Sequence, residues 1–291
     1  MASVAMSSRE SGRHTSYEAT VVIPLLNQRR AWLRQCVASA CSQTTHVETI
    51  VVTSPFTKAS TTRDLNRLCL KYSGVRILTE EGRGFAAALN TGIRAASSER
   101  VGFLLSDDWL DPRAVEVCLG HQTDIVSTGL CGFADDGVRV LEQISRTPSL
   151  EEFQGLPTLE RKASYLQHFF LFRRQVLMDV GGVDEQVGLT GPDDFDMIWT
   201  LLERGASVSI VGEQLYNYRD HSGERLTLRG AQAQIDDLQK ILDKHGVHGE
   251  ERAQILAWHS VAYGLPYHLS VHRQANLTPP GSAPSMRSSR P

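Results

Sequence analysis

The sequence predicts an α/β fold in which a mostly parallel central sheet is flanked by helices. The first observation is that short apolar runs rich in β-branched residues alternate with segments whose apolar residues recur at helical spacing. The second is a length of 291 residues, which is enough for one large domain with a substantial core. The third is a composition of 41% hydrophobic and 22% charged residues, which is typical of a folded globular chain.

The first half of the chain carries the regular part of this pattern. Strands are predicted over 19–25, 49–53, 76–79 and 101–105. One helical face begins at Trp32 after the first strand, and another begins at Leu65 after the second. The third strand leads through Gly82 to Gly84 into an alanine-rich helix over 85–96.

The second half is less regular. The turn Ala134 to Gly137 separates two strand-like runs, and its Asp-Gly pair predicts a hairpin. No internal repeat is visible, which argues against solenoids and propellers. The predicted hairpin strands are 124–133 and 138–142, the further strands are 169–172, 208–211 and 214–218, and the helices are 175–180, 193–204, 229–245 and 251–263.

Both ends are predicted to be disordered. Residues 1–17 are polar and serine-rich, and residues 273–291 hold prolines and serines with few apolar side chains. We therefore expect one folded domain over 18–228, in two halves that meet at residue 112, followed by C-terminal helices over 229–272.

Composition argues against several classes of protein. A formal net charge of −3 gives no excess of cations for a nucleic-acid backbone, so nucleic acid is not an expected partner. The longest apolar runs have about six residues, far below the ~18 that span a bilayer, so no transmembrane segment is predicted. Residues 1–17 lack the apolar core of a signal peptide. The five scattered cysteines fit reduced packing residues better than disulfides or a zinc site. We expect a cytoplasmic protein, and a peripheral position at the membrane stays open.

Two adjacent acids, Asp107 and Asp108, follow the fourth predicted strand. In open α/β sheets, ligands bind at the carboxyl ends of the strands. Adjacent carboxylates there suit a hard divalent cation that is shared with substrate phosphates. A solvated turn is the alternative interpretation. Asp111 and Pro112 are explained as the first residues of a helix, whereas Asp107 and Asp108 are not.

A second acidic group opens the helix predicted over 193–204. Asp193, Asp194 and Asp196 stand within its first turn. Capping explains one carboxylate at a helix start, and the helix dipole favours its ionised form. An ionised carboxylate that faces a cleft is also a usable general base for a hydroxyl nucleophile.

Two further features carry possible chemistry. Arg219 could pair with phosphate oxygens, and His221 could ligate a cation or donate to a leaving group. A lone histidine is also commonly a surface or core residue. The stretch from Gly82 to Ala87 weakly matches a dinucleotide fingerprint, but it follows the third strand, so we interpret it as a strand-to-helix turn.

Read in order, these stretches resemble the family 2 glycosyltransferases, which have the GT-A fold. The segments that carry the resemblance are 21–27, 84–92 and 103–112, followed by 172–174, 181–185 and 193–196. Each motif is modest by itself, and six in the family's order are specific. The resemblance covers about residues 18 to 227.

The resemblance implies an enzyme that moves a sugar from a nucleotide-diphospho-sugar to an acceptor hydroxyl, with inversion at the anomeric carbon. The implied donor carries UDP, GDP or dTDP, and the implied acceptor is a glycan, a lipid-linked sugar or a small molecule. Residues 18–112 would bind the nucleotide, and residues 113–228 would shape the acceptor site. Asp194, aligned with the second acid of the family's Glu-Asp motif, would be the general base.

The resemblance also implies a Mn²⁺ or Mg²⁺ cofactor. The family's Asp-x-Asp motif falls on Leu105, Ser106 and Asp107, and a late histidine falls on His221. The implied metal ligands are therefore Asp107, Asp108 and His221. The residues implied to contact the donor nucleotide are Pro24, Leu26, Asn27, Thr53, Ser54, Arg83, Gly84, Asn90, Ser106, Asp107 and Arg219.

The chain departs from the family's pattern at three places. Leu105 replaces the first acid of Asp-x-Asp, and Asp193 replaces the usual glutamate. Residues 53–56 read Thr-Ser-Pro-Phe where the family carries Asp-Asp-Gly-Ser, which leaves the donor base open. A catalytically weak or inactive nucleotide-sugar binding protein of the same fold is therefore an alternative. A sugar nucleotidyltransferase is another, although no glycine-rich loop follows the first strand, and an NAD-dependent oxidoreductase ranks last.

Overall fold

A computed structural model of the protein describes residues 16–72, 74–187, 193–221, 228 and 230–274. The described part contains one eight-stranded sheet with helices packed on it. In chain order, the strands are β1 (Ala19–Leu25), β2 (Val47–Thr53), β3 (Val75–Thr79), β4 (Arg100–Phe103), β5 (Trp109–Leu110), β6 (Ile125–Phe133), β7 (Phe170–Arg173) and β8 (Val208–Arg219).

The helices follow the strands in alternation through the first half of the chain and cluster near its end. They are α1 (Arg30–Cys41), α2 (Ala59–Lys71), α3 (Phe85–Ala95), α4 (Ala114–Leu119), α5 (Leu150–Gly155), α6 (Leu159–Tyr165), α7 (Arg174–Asp179), α8 (Asp193–Glu203), α9 (Ala231–Lys244), α10 (Gly249–Ser260) and α11 (Tyr267–Gln274).

The strand order across the sheet is β3-β2-β1-β4-β7-β6-β8-β5. Strands β1 to β4 are mutually parallel, which matches the strand-helix alternation of the first half. β7 is antiparallel to both β4 and β6, while β8 is parallel to β6. The predicted α/β fold with a large sheet flanked by helices is confirmed, and the added strands make the sheet mixed.

Alternation along β1 divides the core into two layers. Val22 belongs to an apolar cluster that includes Leu89 of α3, Ile198 of α8 and Leu238 of α9. Its neighbours in the strand belong to a second cluster that contains Leu33 of α1. Successive strand side chains point to opposite faces, so β1 is covered by helices on both sides.

The hairpin predicted around Gly137 does not form as expected. The turn is present, with the Gly137 N–H donating to the Ala134 carbonyl at 2.9 Å. Beyond it, Val140 makes only an isolated bridge to Phe133, and a short 3₁₀ helix follows at Glu142–Ile144. β7 pairs with β6 only as far as Ser127, so the edge of β6 near the turn stays open. The Leu141 N–H donates to the Gly132 carbonyl at 2.8 Å on that edge, but the chain then enters the 3₁₀ helix, which ends the pairing before a second strand forms.

Two further differences concern the end of the chain. The strands predicted over 208–211 and 214–218 are one strand, β8, whose pairing with β6 shifts register near Gly129. Helix α11 was not predicted, whereas α9 and α10 were. Leu238, Ile241 and Leu242 of α9 are fully buried in the main core, so the C-terminal helices share the hydrophobic core of the sheet domain.

The predicted disordered ends, 1–17 and 273–291, fall almost entirely outside the described residues, and that prediction stays untested. The predicted division at residue 112 and the boundary after 228 also stay predictions. Within the described ranges, none of the helices combines the length and the apolar character needed to cross a bilayer.

Candidate active site

One edge of the sheet gathers the chemically interesting side chains. The carboxyl ends of β1 to β4 lie at this edge because these strands are parallel. β7 runs opposite to β4, so the residues that precede β7, including His168, reach the same edge. β8 runs in the direction of β4 and brings Arg219 and His221 there with its carboxyl end. Ligands of open α/β sheets bind at such an edge.

Asp107 and His221, both predicted metal ligands, are in contact at this edge. Oδ2 of Asp107 lies 2.9 Å from Nε2 of His221. The His221 side chain is 3% exposed and the Asp107 side chain 20%. The His221 ring rests against Trp32 of α1, with 4.6 Å between the ring centroids. The pair presents a carboxylate and an imidazole, and both groups ligate divalent metal ions.

Asp108 faces the interior and has different partners. Its Oδ2 accepts a hydrogen bond from the Tyr216 hydroxyl at 2.7 Å, and its Oδ1 accepts one from the backbone N–H of Arg219 at 2.7 Å. Burial, and then the nearby Asp108 carboxylate, raises the pKa of Tyr216 well above its usual value, so this hydroxyl keeps the proton that it donates. Asp108 therefore fastens the loop after β4 to β8, a position that fits direct metal ligation less well than that of Asp107.

Arg219, predicted to contact phosphate, lies inside the protein. Its Nε donates to the Asp107 carbonyl at 2.9 Å and its Nη1 to the Asp135 carbonyl at 3.0 Å, and Nη2 donates to the Gln35 side chain at 2.6 Å. The guanidinium also stacks between Trp32 and Trp109. Burial lowers the pKa of Arg219, because it removes water from the charged guanidinium. This arrangement does not fit the predicted phosphate contact; it fits a residue that shapes the Asp107 loop.

Asp194, the predicted base, is accessible. Its side chain is 47% exposed at the start of α8. Oδ1 accepts a hydrogen bond from the backbone N–H of Phe195 at 2.8 Å, and Oδ2 lies 3.3 Å from Nε2 of His168. A carboxylate that is fixed in this way and exposed can accept a proton from a hydroxyl group.

Contacts link Asp194 to the acids after β4. The ring of His168, which touches Asp194, lies against Tyr216 with 5.3 Å between centroids. Tyr216 in turn donates to Asp108. The two acidic groups, far apart in sequence, are thus brought to neighbouring positions at one sheet edge by His168 and Tyr216.

The other acids of the 193–196 motif serve differently. Asp196 is 1% exposed and bonds Lys244 at 2.7 Å and His245 at 3.1 Å, both at the end of α9. Burial lowers the pKa of Lys244, but its carboxylate partners outweigh burial and raise it, which indicates a tight ionic cluster. Asp196 therefore anchors α9 to α8. Asp193 begins α8, and its side chain lies outside the described part.

The predicted nucleotide residues at the ends of β1 and β2 line the same edge. Leu26 is exposed, while Pro24 is buried within β1. Asn27 accepts a hydrogen bond from the backbone N–H of Lys58. Thr53 is buried and donates to the backbone of β3, whereas Ser54 donates to the Glu80 carboxylate at 2.8 Å.

The remaining predicted nucleotide residues divide into accessible and enclosed ones. Arg83 is exposed, and Gly84, with a φ of 95°, immediately precedes α3, where a side chain would be strained. Ser106 is half-buried in the turn after β4. Asn90 is 4% exposed, donates to the Val183 carbonyl at 2.8 Å and accepts from its N–H at 2.8 Å, so it braces α3 and does not reach the site edge.

Sequence reasoning missed three residues of the site: His168, Tyr216 and Glu80. His168 and Tyr216 connect the two groups of acids, and Glu80 puts a carboxylate beside Ser54. Glu80 directly follows the third predicted strand, so its place at the carboxyl edge was available as a signal. The direction of β7 decides the position of His168, and the sequence does not specify that direction.

A divalent cation needs several oxygen or nitrogen ligands around it. Among residues whose positions are described, no three histidine, cysteine or acidic side chains lie close enough together to hold a metal ion by themselves. Mg²⁺ and similar ions are commonly held by one or two protein ligands together with substrate phosphates. Asp107 and His221 fit that second type of site.

The family model described as glycosyl transferase family 2 matches residues 20–181, which is more than half of the chain. The chain belongs to this family. A relative from Myxococcus xanthus, O-antigen biosynthesis protein RfbC, is 30% identical over 255 residues, covering 85% of this chain and 19% of that protein. The glycosyltransferase GlyA of Streptococcus pneumoniae is 26% identical over 288 residues, covering 88% of this chain and 36% of that protein.

A solved structure of S. aureus TarS, residues 1–349 in complex with UDP-GlcNAc, superposes with a TM-score of 0.62 at 18% identity. The match covers 82% of this family 2 chain and 70% of the TarS chain. The GT-A fold expected from the sequence is thereby confirmed. The chain spans only about a fifth to about a third of the length of the two curated relatives named above.

Proposed function

We propose that this chain is a metal-dependent, inverting glycosyltransferase that moves a sugar from a nucleotide-diphospho-sugar to an acceptor hydroxyl. The observation that carries the proposal is the pair of acidic groups at one sheet edge, Asp107 on one side and the accessible Asp194 on the other, linked through His168 and Tyr216. Relatives are named as glycosyltransferases, and the TarS structure holds UDP-GlcNAc.

Asp194 is the general base of the proposed reaction. Its carboxylate takes the proton of the acceptor hydroxyl as the hydroxyl oxygen bonds to the anomeric carbon. The bond between that carbon and the diphosphate oxygen breaks, and the electron pair leaves with the nucleoside diphosphate. Attack from the face opposite the leaving group inverts the anomeric centre. The exposed side chain of Asp194 supports this role, since an acceptor must reach the carboxylate.

Asp107 and His221 would hold the divalent cation, Mn²⁺ or Mg²⁺. When bound, the ion would neutralise charge on the departing diphosphate. Asp108 would act through the Asp107 loop, because both of its carboxylate oxygens already accept hydrogen bonds from β8. The loss of the first acid of Asp-x-Asp at Leu105 fits a site that relies on Asp107 and His221.

Exposed cations at the same edge, rather than Arg219, would meet the diphosphate. The Arg29 guanidinium lies 4.2 Å from the centre of the Trp32 ring, and this ring contacts His221. Arg29 has no carboxylate partner among the residues described. Arg83 is likewise exposed beside the start of α3. A forked guanidinium matches phosphate oxygens well.

The nucleoside of the donor would lie over the ends of β1 to β3. Ser54 and Glu80, joined at 2.8 Å, place a hydroxyl and a carboxylate where the family carries its Asp-Asp-Gly-Ser acids. A carboxylate there can accept hydrogen bonds from a ribose or from a base N–H. Glu80 thus offers the acceptor group that the second strand of this chain lacks.

The direct test measures release of nucleoside diphosphate from UDP, GDP and dTDP sugars, with and without Mn²⁺, because transferases pass sugar slowly to water. We expect one donor class to be cleaved in the presence of Mn²⁺. Asp194→Asn should slow the release at least ~100-fold while nucleotide affinity, measured by calorimetry, stays within about 2-fold.

Asp196→Asn is the matched control, because Asp196 lies in the same turn but bonds α9. It should lower the melting temperature and leave the release rate per folded molecule close to wild type. Equal losses of nucleotide affinity and rate in Asp194→Asn would assign that residue to donor binding instead.

The second candidate is a nucleotide-sugar binding protein that has lost turnover. The engaged position of Asp108 and the leucine at position 105 favour it. Stabilisation of the protein by a nucleotide sugar without any release of nucleoside diphosphate would identify this function.

A further inference from the structure

His168 lies between the two acidic groups of the site and has no role in the reaction proposed above. It precedes β7 at the sheet edge, and its side chain is 19% exposed. Its ring is held between Phe170, 4.8 Å away, and Tyr216, 5.3 Å away, measured between centroids. Two aromatic neighbours leave the imidazole little freedom to rotate.

The two ring nitrogens of His168 have different surroundings. Nδ1 is buried and has no hydrogen-bond partner among the described residues, whereas Nε2 lies 3.3 Å from Oδ2 of Asp194. A buried N–H without an acceptor is costly, and a carboxylate oxygen is a strong acceptor. The proton of the neutral imidazole therefore belongs on Nε2, the nitrogen that faces Asp194.

This tautomer excludes one alternative. If His168 were itself the base, its free lone pair would have to face the acceptor hydroxyl. That lone pair is on Nδ1, which is buried. Asp194 is the accessible member of the pair, with 47% of its side chain exposed.

We propose that His168 is the positioning residue of the base. Its Nε2–H holds Oδ2 of Asp194 while the Phe195 backbone N–H holds Oδ1, which leaves the remaining lone pairs of the carboxylate for the acceptor hydroxyl. Catalytic hydrogen bonds are commonly long in ligand-free proteins and tighten when substrate binds, which accommodates the separation of 3.3 Å. The inference rests on the proposed role of Asp194.

The arrangement also sets the distance between the base and the leaving-group side. The His168 ring packs on Tyr216, and the Tyr216 hydroxyl holds Asp108, the neighbour of Asp107. A rigid connection of this kind keeps the base aligned with the anomeric carbon, and small displacements of a reacting group are known to cost large factors in rate.

The experiment compares three variants by the rate of nucleoside diphosphate release and the donor KM. His168→Gln keeps an N–H near the position of Nε2, His168→Asn places its N–H near Nδ1, and His168→Leu removes the donor. We expect kcat to fall about 10- to 100-fold for Asn and Leu and less than about 5-fold for Gln, with donor KM unchanged. His259→Leu is the matched control, because the His259 ring packs against Phe195, next to Asp194, while its Nε2 pairs with Glu160 instead of Asp194.

A double variant separates positioning from packing. If His168 acts through Asp194, adding His168→Leu to Asp194→Asn should produce no further loss of rate. If His168→Leu does not fold, the difference in kcat between His168→Gln and His168→Asn still tests whether His168 positions Asp194. The inference is overturned if His168→Gln and His168→Asn are equally slow, or if His259→Leu loses as much kcat as His168→Leu. It is also overturned if the double variant loses the product of the two single losses in rate. Absence of release by the wild-type protein from every donor would instead overturn the proposed function itself.

Discussion

Asp107 and Asp108 are neighbours in sequence with opposite environments. Asp107 is partly exposed and meets His221, whereas Asp108 is buried against Tyr216 and the backbone of Arg219. The buried carboxylate is stable there because two donors satisfy it, which offsets the loss of hydration. Asp108 thus fixes the turn after β4, and the Asp107 side chain beside it stays partly exposed.

Arg219 and Arg29 both contact Trp32, but their guanidinium groups have different surroundings. The Arg219 guanidinium is occupied by backbone and glutamine acceptors, so the cation that would meet the proposed diphosphate must be a different residue. Arg29 stacks on the outer part of the same tryptophan cluster and is exposed.

We predict that Arg29→Ala weakens UDP binding about 5- to 20-fold, because a charge-assisted contact to phosphate is worth about 1–2 kcal/mol at an exposed site. Binding of uridine should not change, since uridine carries no phosphate. Calorimetry with both ligands measures the difference.

Arg30→Ala is the control for this prediction, because Arg30 is equally cationic but pairs with Asp64 at 3.5 Å on α2. Equal weakening of UDP binding in the two variants would show that only the general charge of the surface matters. Weakened uridine binding in Arg29→Ala would place Arg29 at the nucleoside instead.

At the scale of elements, Glu48 joins the first three strands of the chain. From β2 it accepts hydrogen bonds from Thr20 of β1, from both the N–H and the hydroxyl of Ser97, and from Arg76 of β3. Burial alone would raise its pKa, but these donors outweigh burial, so the pKa of Glu48 lies below its usual value. The ionised carboxylate therefore stabilises the association of β1, β2 and β3 near the start of β2.

We predict that Glu48→Gln lowers the free energy of unfolding at pH 7 by about 1–3 kcal/mol. A depressed pKa contributes stability above the unfolded value of about 4.3, and the contribution is lost as the pH falls through the lower folded value. The gap between variant and wild type should therefore narrow below about pH 4. Urea denaturation between about pH 3 and about pH 8 measures this difference in the free energy of unfolding.

Glu116→Gln serves as the comparison, because Glu116 is exposed and, among the residues that the structure describes, accepts a hydrogen bond only from Thr44. Its effect should be near zero at every pH. A gap for Glu48→Gln that stays constant down to pH ~3 would mean that packing, and not ionisation, explains its contribution.

At the scale of the whole molecule, the C-terminal helices complete the sheet domain. α9 buries Leu238, Ile241 and Leu242 in the main core and supplies Lys244 to the buried Asp196. Asp220, next to His221, accepts hydrogen bonds from the first N–H groups of α11. The helices therefore hold both α8, which carries Asp194, and the end of β8 in place.

We predict that a chain ending at residue 229 fails to accumulate as a soluble folded protein or melts at least ~10 °C lower, since it leaves apolar surface and the Asp196 charge uncovered. Removal of 275–291 alone is the control and should leave the melting temperature unchanged. Circular dichroism and scanning calorimetry test both truncations. A fully folded, stable protein ending at residue 229 would contradict the shared core.

The sequence by itself determined the alternation of strands and helices in the first half, the position of Asp107 after β4 and the start of α8 at Asp193. These features depend on local signals: β-branched runs, helical spacing and capping residues. Family motifs added the GT-A fold and Asp194 as a candidate base. Local signals were sufficient because parallel strands joined by helices place their carboxyl ends on one edge.

Only the tertiary structure decided which polar side chains face the site. A 3₁₀ helix at Glu142–Ile144 interrupts the expected hairpin, and the direction of β7 brought His168 to Asp194. Burial between two tryptophans removed Arg219 from the candidates for binding phosphate. The physical reason is that burial and long-range strand pairing depend on residues more than 100 positions away, such as Asp108 and Tyr216, whose contact no local pattern encodes.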